Sequence, residues 1–260
     1  NRYFWGKRIW NKVAWLPPVA RRFLGRGISL FPVSTWDAMN HIFPSRYQTA
    51  NLGDKAHKMA YRLDRVQNLD DLYRNLLMIW QEGNDLVLQS DKLPTKLDNA
   101  NIVENISKSQ QRMMLWDSLL YLPDDILTKV DRAAMGVSLE TRIPFLDHRV
   151  AELAWRMPLD MKLRNGQGKW ALRQILYKHV PRKLIERPKA GFGIPLGQWL
   201  RGPLVDWAEN LINEERLKSE GYLNAKVVRE TWQQHLSNSY DWPHELWSVL
   251  MFQAWLDQLQ

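Results

Sequence analysis

The sequence contains no cysteine, and this absence removes several classes of site at once. Disulfides, thiolate metal ligands and cysteine nucleophiles are excluded, and a chain without cysteine is typical of a cytosolic protein, so we expect a cytoplasmic location. The six histidines show neither HxxxH nor HxH spacing, so the sequence indicates no metal ligands. No run of eighteen apolar residues is present, which argues against a membrane-spanning helix.

Strand patterns are nearly absent too, because only residues 137–143 alternate with period two. Most other segments show helical spacing of apolar residues, and no repeat is visible. With 45% hydrophobic residues in 260, the chain has ample material for a core, and we predict a mainly α fold.

Positively charged residues outnumber negatively charged ones. The net charge of +8 favours anionic partners, namely nucleotide phosphates, nucleic acid or an acidic neighbour. Fourteen tryptophans are many for this length. Most should fill helix interfaces, but Trp5, Trp10 and Trp15 lie in basic amphipathic sequence near the N-terminus, where we expect an exposed apolar surface that drives self-association.

The most informative stretch covers residues 122–147. Pro123 suits the first turn of a helix, and Gly136 is placed to end it. Residues 137–143 then form the only strand candidate, and Asp147 is a good N-cap for the next helix.

Charged residues of this stretch lie off its apolar stripe. Lys129, Asp131 and Arg132 project from the predicted helix, while Glu140 and Arg142 share one side of the extended segment. They could form the charged wall of an anion site. A surface helix followed by an ion-paired turn fits the same spacing, and spacing alone favours this second interpretation.

Two lysines further along suit phosphate chemistry. Lys169 opens a helix after a tight turn at residues 163–168, and Lys189 lies in a glycine-bearing loop at residues 187–195. A compact ammonium group can stabilise the charge that develops at a phosphate or acyl-adenylate. On the local pattern alone, a surface lysine is the favoured interpretation of Lys189, and a solvent-exposed lysine also explains Lys169.

Residues 128–148 read TKVDRAAMGVSLETRIPFLDH, which resembles the signature of glutamine-dependent asparagine synthetases of the B type. GKWALR at 168–173 and RPKAGF at 187–192 resemble two further motifs of that family, in the same order. The resemblance is specific over about residues 120–200, and elsewhere the sequence is only compatible with it.

The resemblance implies a fold and a domain context. It identifies the chain as the C-terminal helical portion of an α/β ATP-pyrophosphatase (adenine nucleotide α-hydrolase-like) synthetase domain. We expect residues 1–260 to be a fragment with a signature core at about 107–200 and C-terminal helices at about 201–260. The family's glutaminase domain and Ser-Gly-Gly-x-Asp-Ser pyrophosphate loop do not occur in the sequence.

The resemblance also implies a reaction. Such enzymes use ATP and Mg²⁺ to adenylate a carboxylate, aspartate by default, and then transfer to it ammonia derived from glutamine. It implies that Lys189 is catalytic, and that Lys169 and Asp131 hold the nucleotide. The remaining signature residues should support the site through buried ion pairs; they are Arg132, Glu140, Arg142 and Asp147. The family's Mg²⁺ carboxylates lie in motifs that precede Asn1, so no metal ligand is assigned.

Two other functions stay open: a basic helical module that binds nucleic acid, and a non-catalytic structural domain. Against the first, Lys and Arg are spread along the chain without a recognised nucleic-acid motif. Within the family, amidation of a sugar acid and closure of a β-lactam ring are alternatives to aspartate. The acceptor, the oligomeric state and the activity of a glutaminase partner domain are not determined by the sequence.

Overall fold

The structure, a computed structural model, describes residues 2–40, 42, 44, 48, 51–80, 86–90, 94–187 and 193–259. The protein divides into two compact units. The first comprises Asn1–Ile9 and Pro94–Gly191, and the second comprises Trp10–Leu93 and Phe192–Gln260.

Helices dominate the described residues, as the sequence predicts, and one short hairpin is present. The helices are α1 (Arg2–Val13), α2 (Pro18–Ser29), α3 (Val33–Asn40), α4 (Leu52–Arg65), α5 (Leu69–Leu77), α6 (Ser109–Trp116), α7 (Thr128–Met135), α8 (His148–Arg156), α9 (Leu159–Lys162), α10 (Trp170–Leu176), α11 (Arg182–Ile185), α12 (Leu196–Leu200), α13 (Val205–Leu211), α14 (Glu214–Glu220), α15 (Ala225–Leu236) and α16 (Pro243–Asp257). The strands are β1 (Leu163–Arg164) and β2 (Gln167–Gly168). No helix among the described residues has the length and apolar character needed to cross a bilayer.

The second unit holds the larger core, built mainly from α12 to α16. In α16, Leu246, Val249, Leu250 and Leu256 are buried at helical spacing, behind a proline in the first turn. Trp232 of α15 is fully buried against the same cluster. This helix pair therefore forms because its apolar stripes face one another.

Asparagines fix the starts of two helices in this unit. The side chain of Asn213 accepts hydrogen bonds from the backbone N–H groups of Glu215 and Arg216, and so begins α14. Asn224 begins α15 in the same way. The sequence did not lead us to predict α14, although Asn213 followed by two glutamates is an N-terminal helix signal.

One segment with the composition of a surface loop is partly buried. Residues 82–100 are rich in Asp, Asn and Lys, yet Leu86 is only 7% exposed and belongs to the core of the second unit. The backbone N–H of Leu88 donates to the oxygen of Tyr222, and that of Asn224 donates to the oxygen of Leu86. The burial of Leu86 and these backbone hydrogen bonds therefore anchor residues 86–88, despite the polar composition around them.

The first unit contains the signature, and Pro123 does not start its helix. The chain continues from α6 through a π-type helix at Asp117–Leu127, which contains Pro123, and then into α7. The wider π turn accommodates a proline that has no N–H to donate, and the Thr128 hydroxyl donates to the Pro123 oxygen at 2.9 Å. The predicted start at Pro123 is therefore wrong.

Helix α7 ends where the sequence predicts, but the left-handed residue that ends it is Ser138 and not Gly136. Gly136 has a φ of −58°, whereas Ser138 has a φ of 57°. The N–H of Leu139 donates to Ala134 O at 2.9 Å, and that of Ser138 to Met135 O at 3.0 Å, which is the Schellman pattern. Residues 139–143 then form no strand, because no neighbouring segment among the described residues pairs with them.

Candidate functional site

Lys169 lies between a tight hairpin and a helix, as predicted. Strand β1 pairs with β2 in antiparallel register, and Asn165 and Gly166 connect them with φ values of 50° and 76°. Two left-handed residues in succession make a type I′ turn, for which Asn-Gly is the favoured pair. Lys169 follows β2 directly and precedes α10.

The backbone of Lys169 is itself left-handed, with φ 58° and ψ 37°. For a residue with a Cβ this conformation costs about 1–2 kcal/mol. Its side chain is exposed, so the ammonium group is available to an anion. Strain at an exposed, chemically suitable residue is a reason to regard it as functional.

Glu186 gathers three side chains around one oxygen atom. Its Oε1 accepts hydrogen bonds from Arg173 Nη1 at 2.6 Å and from Gln167 Nε2 at 3.0 Å. The Tyr177 hydroxyl donates a short bond to the same oxygen. Arg173 also donates from Nε to Gly168 O at 3.1 Å. Glu186, which directly follows α11, is thus hydrogen-bonded to both the β1–β2 hairpin and α10.

This cluster stabilises the charged forms of Glu186 and Arg173. The hydrogen bond from Tyr177, and then the positive charge of Arg173, lower the pKa of Glu186 below its ordinary value. The interaction with Tyr177, together with the charge of Glu186, raises the pKa of Arg173. The carboxylate and the guanidinium therefore remain charged at neutral pH.

An open groove of about 380 Å³ borders Lys169. Its walls are mainly apolar, and Phe145 brings the signature segment to the same groove as α10. The lining residues are Phe145, Lys169, Leu172, Arg173, Ile175, Leu176, His179 and Ile185. The structure thus joins one apolar signature residue to the GKWALR motif.

The charged signature residues occupy exposed surface. Asp131 and Arg132 project from α7, and no described contact joins either one to Lys169. Asp125 and Lys129 form an i,i+4 ion pair at 2.5 Å.

Glu140, Arg142 and Asp147 do form ion pairs, but not buried ones. Arg142 donates to Glu140 at 2.7 Å, and their side chains are 84% and 71% exposed. Asp147 caps α8 by accepting from the backbone N–H of Arg149 at 2.9 Å, which confirms the predicted cap. The side chain of Arg149 also donates to Asp147, and this bond is the main cause of a lowered pKa of Asp147. The expectation of burial is wrong, because neighbours two residues apart pair within their own turn instead of reaching across a core.

Lys189 lies outside the described residues, as do its immediate neighbours at 188–192. Among the residues that the structure does describe, no group of three His, Asp or Glu side chains is arranged to hold a metal ion.

Sequence reasoning did not identify Gln167, Tyr177 or Glu186. Their only local signal is that Glu186 directly precedes the RPKAGF motif. Their importance depends on contacts made across 9 to 19 residues, which no local pattern reveals.

Comparison with known proteins identifies the family. A family model described as asparagine synthase matches residues 1–257. The chain belongs to the asparagine synthase family. Asparagine synthetase (glutamine-hydrolyzing) 1 of Bacillus subtilis is 33% identical over 144 residues, which are 55% of this chain and 22% of that protein.

Other members of the asparagine synthase family show the same partial coverage. Asparagine synthetase (glutamine-hydrolyzing) 3 of Bacillus subtilis is 34% identical over 146 residues, 56% of this chain and 23% of that protein. The asparagine synthetase of Mus musculus is 28% identical over 148 residues, 49% of this chain and 25% of that protein. The matched part of the chain thus spans a quarter or less of these relatives. No solved structure matches significantly.

Proposed function

We propose that this chain forms part of an ATP-dependent amide-forming ligase whose default substrate is aspartate. The observation that carries the proposal is the Lys169 site. An exposed lysine on a strained backbone borders an apolar groove, and Gln167, two residues before it, is hydrogen-bonded to Glu186, which directly precedes the RPKAGF motif. Family membership supports the same reaction, and the names of the relatives supply glutamine as the nitrogen source.

The residues present fit part of a nucleotide. The groove of about 380 Å³ is in the size range of small-molecule sites, and its apolar walls suit the face of an adenine ring. Lys169 at its border would bind phosphate oxygens. Asp131 is proposed to contribute to nucleotide binding, and Arg132, Glu140, Arg142 and Asp147 to maintain the signature segment.

The reaction has two steps. A carboxylate oxygen attacks the α-phosphorus of ATP, the bond between the α-phosphorus and the bridging oxygen breaks, and pyrophosphate leaves. Ammonia then attacks the acyl carbon, AMP leaves, and the nitrogen loses a proton to give the amide. Negative charge grows on the phosphate oxygens in the first step, so cations placed there lower the barrier.

We assign the two lysines different parts in these steps. Lys169 is held at a fixed place and would bind phosphate in the ground state. Lys189 would meet the charge that develops during adenylation. Mg²⁺ would be held by carboxylates and phosphate oxygens. The described residues offer no set of three acidic or histidine ligands for it.

The proposal includes a partner for these residues. The sequence has no Ser-Gly-Gly-x-Asp-Ser segment, so we propose that residues 1–260 alone do not release pyrophosphate. In the full-length protein, a glutaminase domain would supply ammonia. Aspartate-dependent pyrophosphate release from the 260-residue chain would contradict this part.

Exchange of radiolabelled pyrophosphate into ATP tests the function directly. In the full-length protein, with glutamine and ammonia absent, exchange should require aspartate. If exchange requires a sugar acid or a β-amino acid instead, the proposed ligase reaction stands, but its acceptor is not aspartate. No exchange with any carboxylate, together with salt-sensitive binding of random DNA, would favour the nucleic-acid alternative.

A further inference from the structure

Helix α10 begins without a side-chain cap. Lys169 occupies the N-cap position with φ 58° and ψ 37°, and its side chain makes no capping hydrogen bond. An N-cap residue usually has an extended backbone and a short polar side chain. The left-handed conformation is unfavourable for a residue with a Cβ, so other contacts must hold Lys169 in it.

Arg173 is hydrogen-bonded to both peptide groups that flank Lys169. Its Nε donates to Gly168 O at 3.1 Å, and this oxygen belongs to the peptide group that joins Gly168 to Lys169. Its backbone N–H donates at 3.0 Å to Lys169 O, which belongs to the next peptide group. Because peptide groups are planar, φ and ψ of Lys169 are the rotations that relate these two planes. One residue therefore restrains both angles.

The guanidinium of Arg173 is itself anchored. Its Nη1 donates to Glu186 Oε1 at 2.6 Å, and the same oxygen accepts from Tyr177 and Gln167. The guanidinium is planar, so a bond at Nη1 also fixes the direction of the Nε–H bond toward Gly168. The side chain of Arg173 is 21% exposed, which leaves it little room to turn away.

The backbone conformation of Lys169 determines where its side chain begins. A change of φ to the ordinary negative range would rotate Cβ about the N–Cα bond and redirect the whole side chain. In the observed conformation Lys169 lines the groove together with Leu172 and Ile175. A lysine side chain is flexible, so the backbone is the part of its placement that the fold can fix in advance.

We propose that Arg173 is a positioning residue, which holds Lys169 in its left-handed conformation at the border of the groove and is held in turn by Glu186. The proposal rests on the proposed function, in which Lys169 binds nucleotide phosphate. It adds that the arginine of the GKWALR motif acts through Lys169 and touches no substrate itself.

Nuclear magnetic resonance tests the restraint on the 260-residue chain. The one-bond coupling between Cα and Hα differs between positive and negative φ, and we expect the value for positive φ at Lys169. Arg173→Met keeps a straight stem and the backbone N–H but removes the guanidinium. It should shift the coupling of Lys169 toward the value for negative φ. An unchanged coupling in Arg173→Met would overturn the proposal.

Two controls and a second variant make this test specific. Asn165 has a φ of 50° that its own hairpin turn requires, so its coupling should stay constant. Arg156→Met, which removes an exposed ion pair of α8, should leave Lys169 unchanged. Glu186→Ala removes the anchor and should shift the coupling of Lys169 in the same direction as Arg173→Met. If Arg173→Met also disturbs Asn165, Glu186→Ala decides, and an unchanged Lys169 there would overturn the proposal.

A double-mutant cycle tests the consequence for catalysis in the full-length protein. Arg173→Met should raise the KM for ATP by about tenfold with a smaller loss of kcat, as expected for Lys169→Ala. In the Lys169→Ala background, the same change should raise the KM by less than about twofold, because the residue that Arg173 positions is gone. Fully additive effects would contradict the positioning role and indicate that Arg173 contacts the nucleotide itself. If the unaltered protein shows no carboxylate-dependent exchange, the proposed function fails, while the coupling of Lys169 still reports on the restraint.

Discussion

Arg173 donates a hydrogen bond to Glu186 at 2.6 Å, thirteen residues away in sequence. The same guanidinium donates to Gly168 O, so the bond connects the segment before the RPKAGF motif to the residue before Lys169. This relationship lies within the first unit of the structure.

Lys169→Ala should weaken nucleotide binding more than catalysis. Because Lys169 has a fixed place beside the groove, its loss should raise the KM for ATP about tenfold, with a smaller loss of turnover. Steady-state kinetics of the full-length protein measure both constants. Lys178→Ala is the matched control, since Lys178 is exposed just after α10 and does not line the groove. Equal effects of the two changes would refute the assignment.

The attachment through Glu186 should withstand mild acid. Its pKa lies below the ordinary glutamate value, so the unfolded chain takes up a proton at a higher pH than the folded protein does. The contribution of Glu186 to the stability of the folded protein is complete above its pKa in the unfolded chain. It is lost as the pH falls through its lower pKa in the folded protein. With spin labels at Arg164→Cys and Arg187→Cys, the distribution of label distances should therefore stay narrow down to about pH 5, just above the ordinary glutamate range, and broaden only in stronger acid. Broadening between about pH 7 and 5 would show that the carboxylate is not held as described.

Two glycines of α2 should respond oppositely to alanine. A Cβ at Gly25 would lie 2.6 Å from Ala60 O in α4, so Gly25→Ala should destabilise the protein by about 1–3 kcal/mol. Gly27 has open space around it, and Gly27→Ala should stabilise the helix by about 0.5–1 kcal/mol. Urea unfolding followed by circular dichroism compares the two. The same sign of change for both variants would argue against the close approach of α2 and α4.

Exposed apolar side chains near the N-terminus should cause self-association of the 260-residue chain. Trp15, Val19 and Phe23 succeed one another at intervals of four and are 75%, 61% and 70% exposed. Trp10 instead packs beneath the Arg21 guanidinium, 4.7 Å from its ring centre, and the side chain of Trp5 lies outside the described residues.

Sedimentation tests this association. The apparent mass should rise with concentration, and Phe23→Glu should shift the chain toward monomer. Leu259→Glu, at another exposed apolar residue, should leave the association intact. A native chain that is monomeric at every concentration would show that this surface does not self-associate.

Local patterns were sufficient for much of the fold. The spacing of Leu246, Val249 and Leu250 predicts α16, and the hairpin turn at Asn165 and Gly166 follows from residue types that tolerate positive φ. These features depend on nearby residues, which is why the sequence alone indicates them.

Features that depend on distant partners escaped sequence reasoning. Pro123 lies inside a helix because a π turn accommodates it, and the helix continues on both sides of this turn. Leu86 is buried because residues 222–224 pair with its segment. Glu186 gains its significance from three donors that the fold brings to it. The roles expected of Lys169 and Lys189 depend on resemblance to a family, because the local pattern alone also fits surface lysines.

The effect of Lys189→Ala on turnover tests the central claim most directly. In the full-length protein at saturating ATP, aspartate and glutamine, amide synthesis should fall by about a hundredfold or more, the scale of losing one donor to a developing charge. The KM for ATP should change little, and glutamine hydrolysis should continue because it takes place at another site. Near-normal amide synthesis by Lys189→Ala would contradict the account and leave the RPKAGF segment with a structural role only.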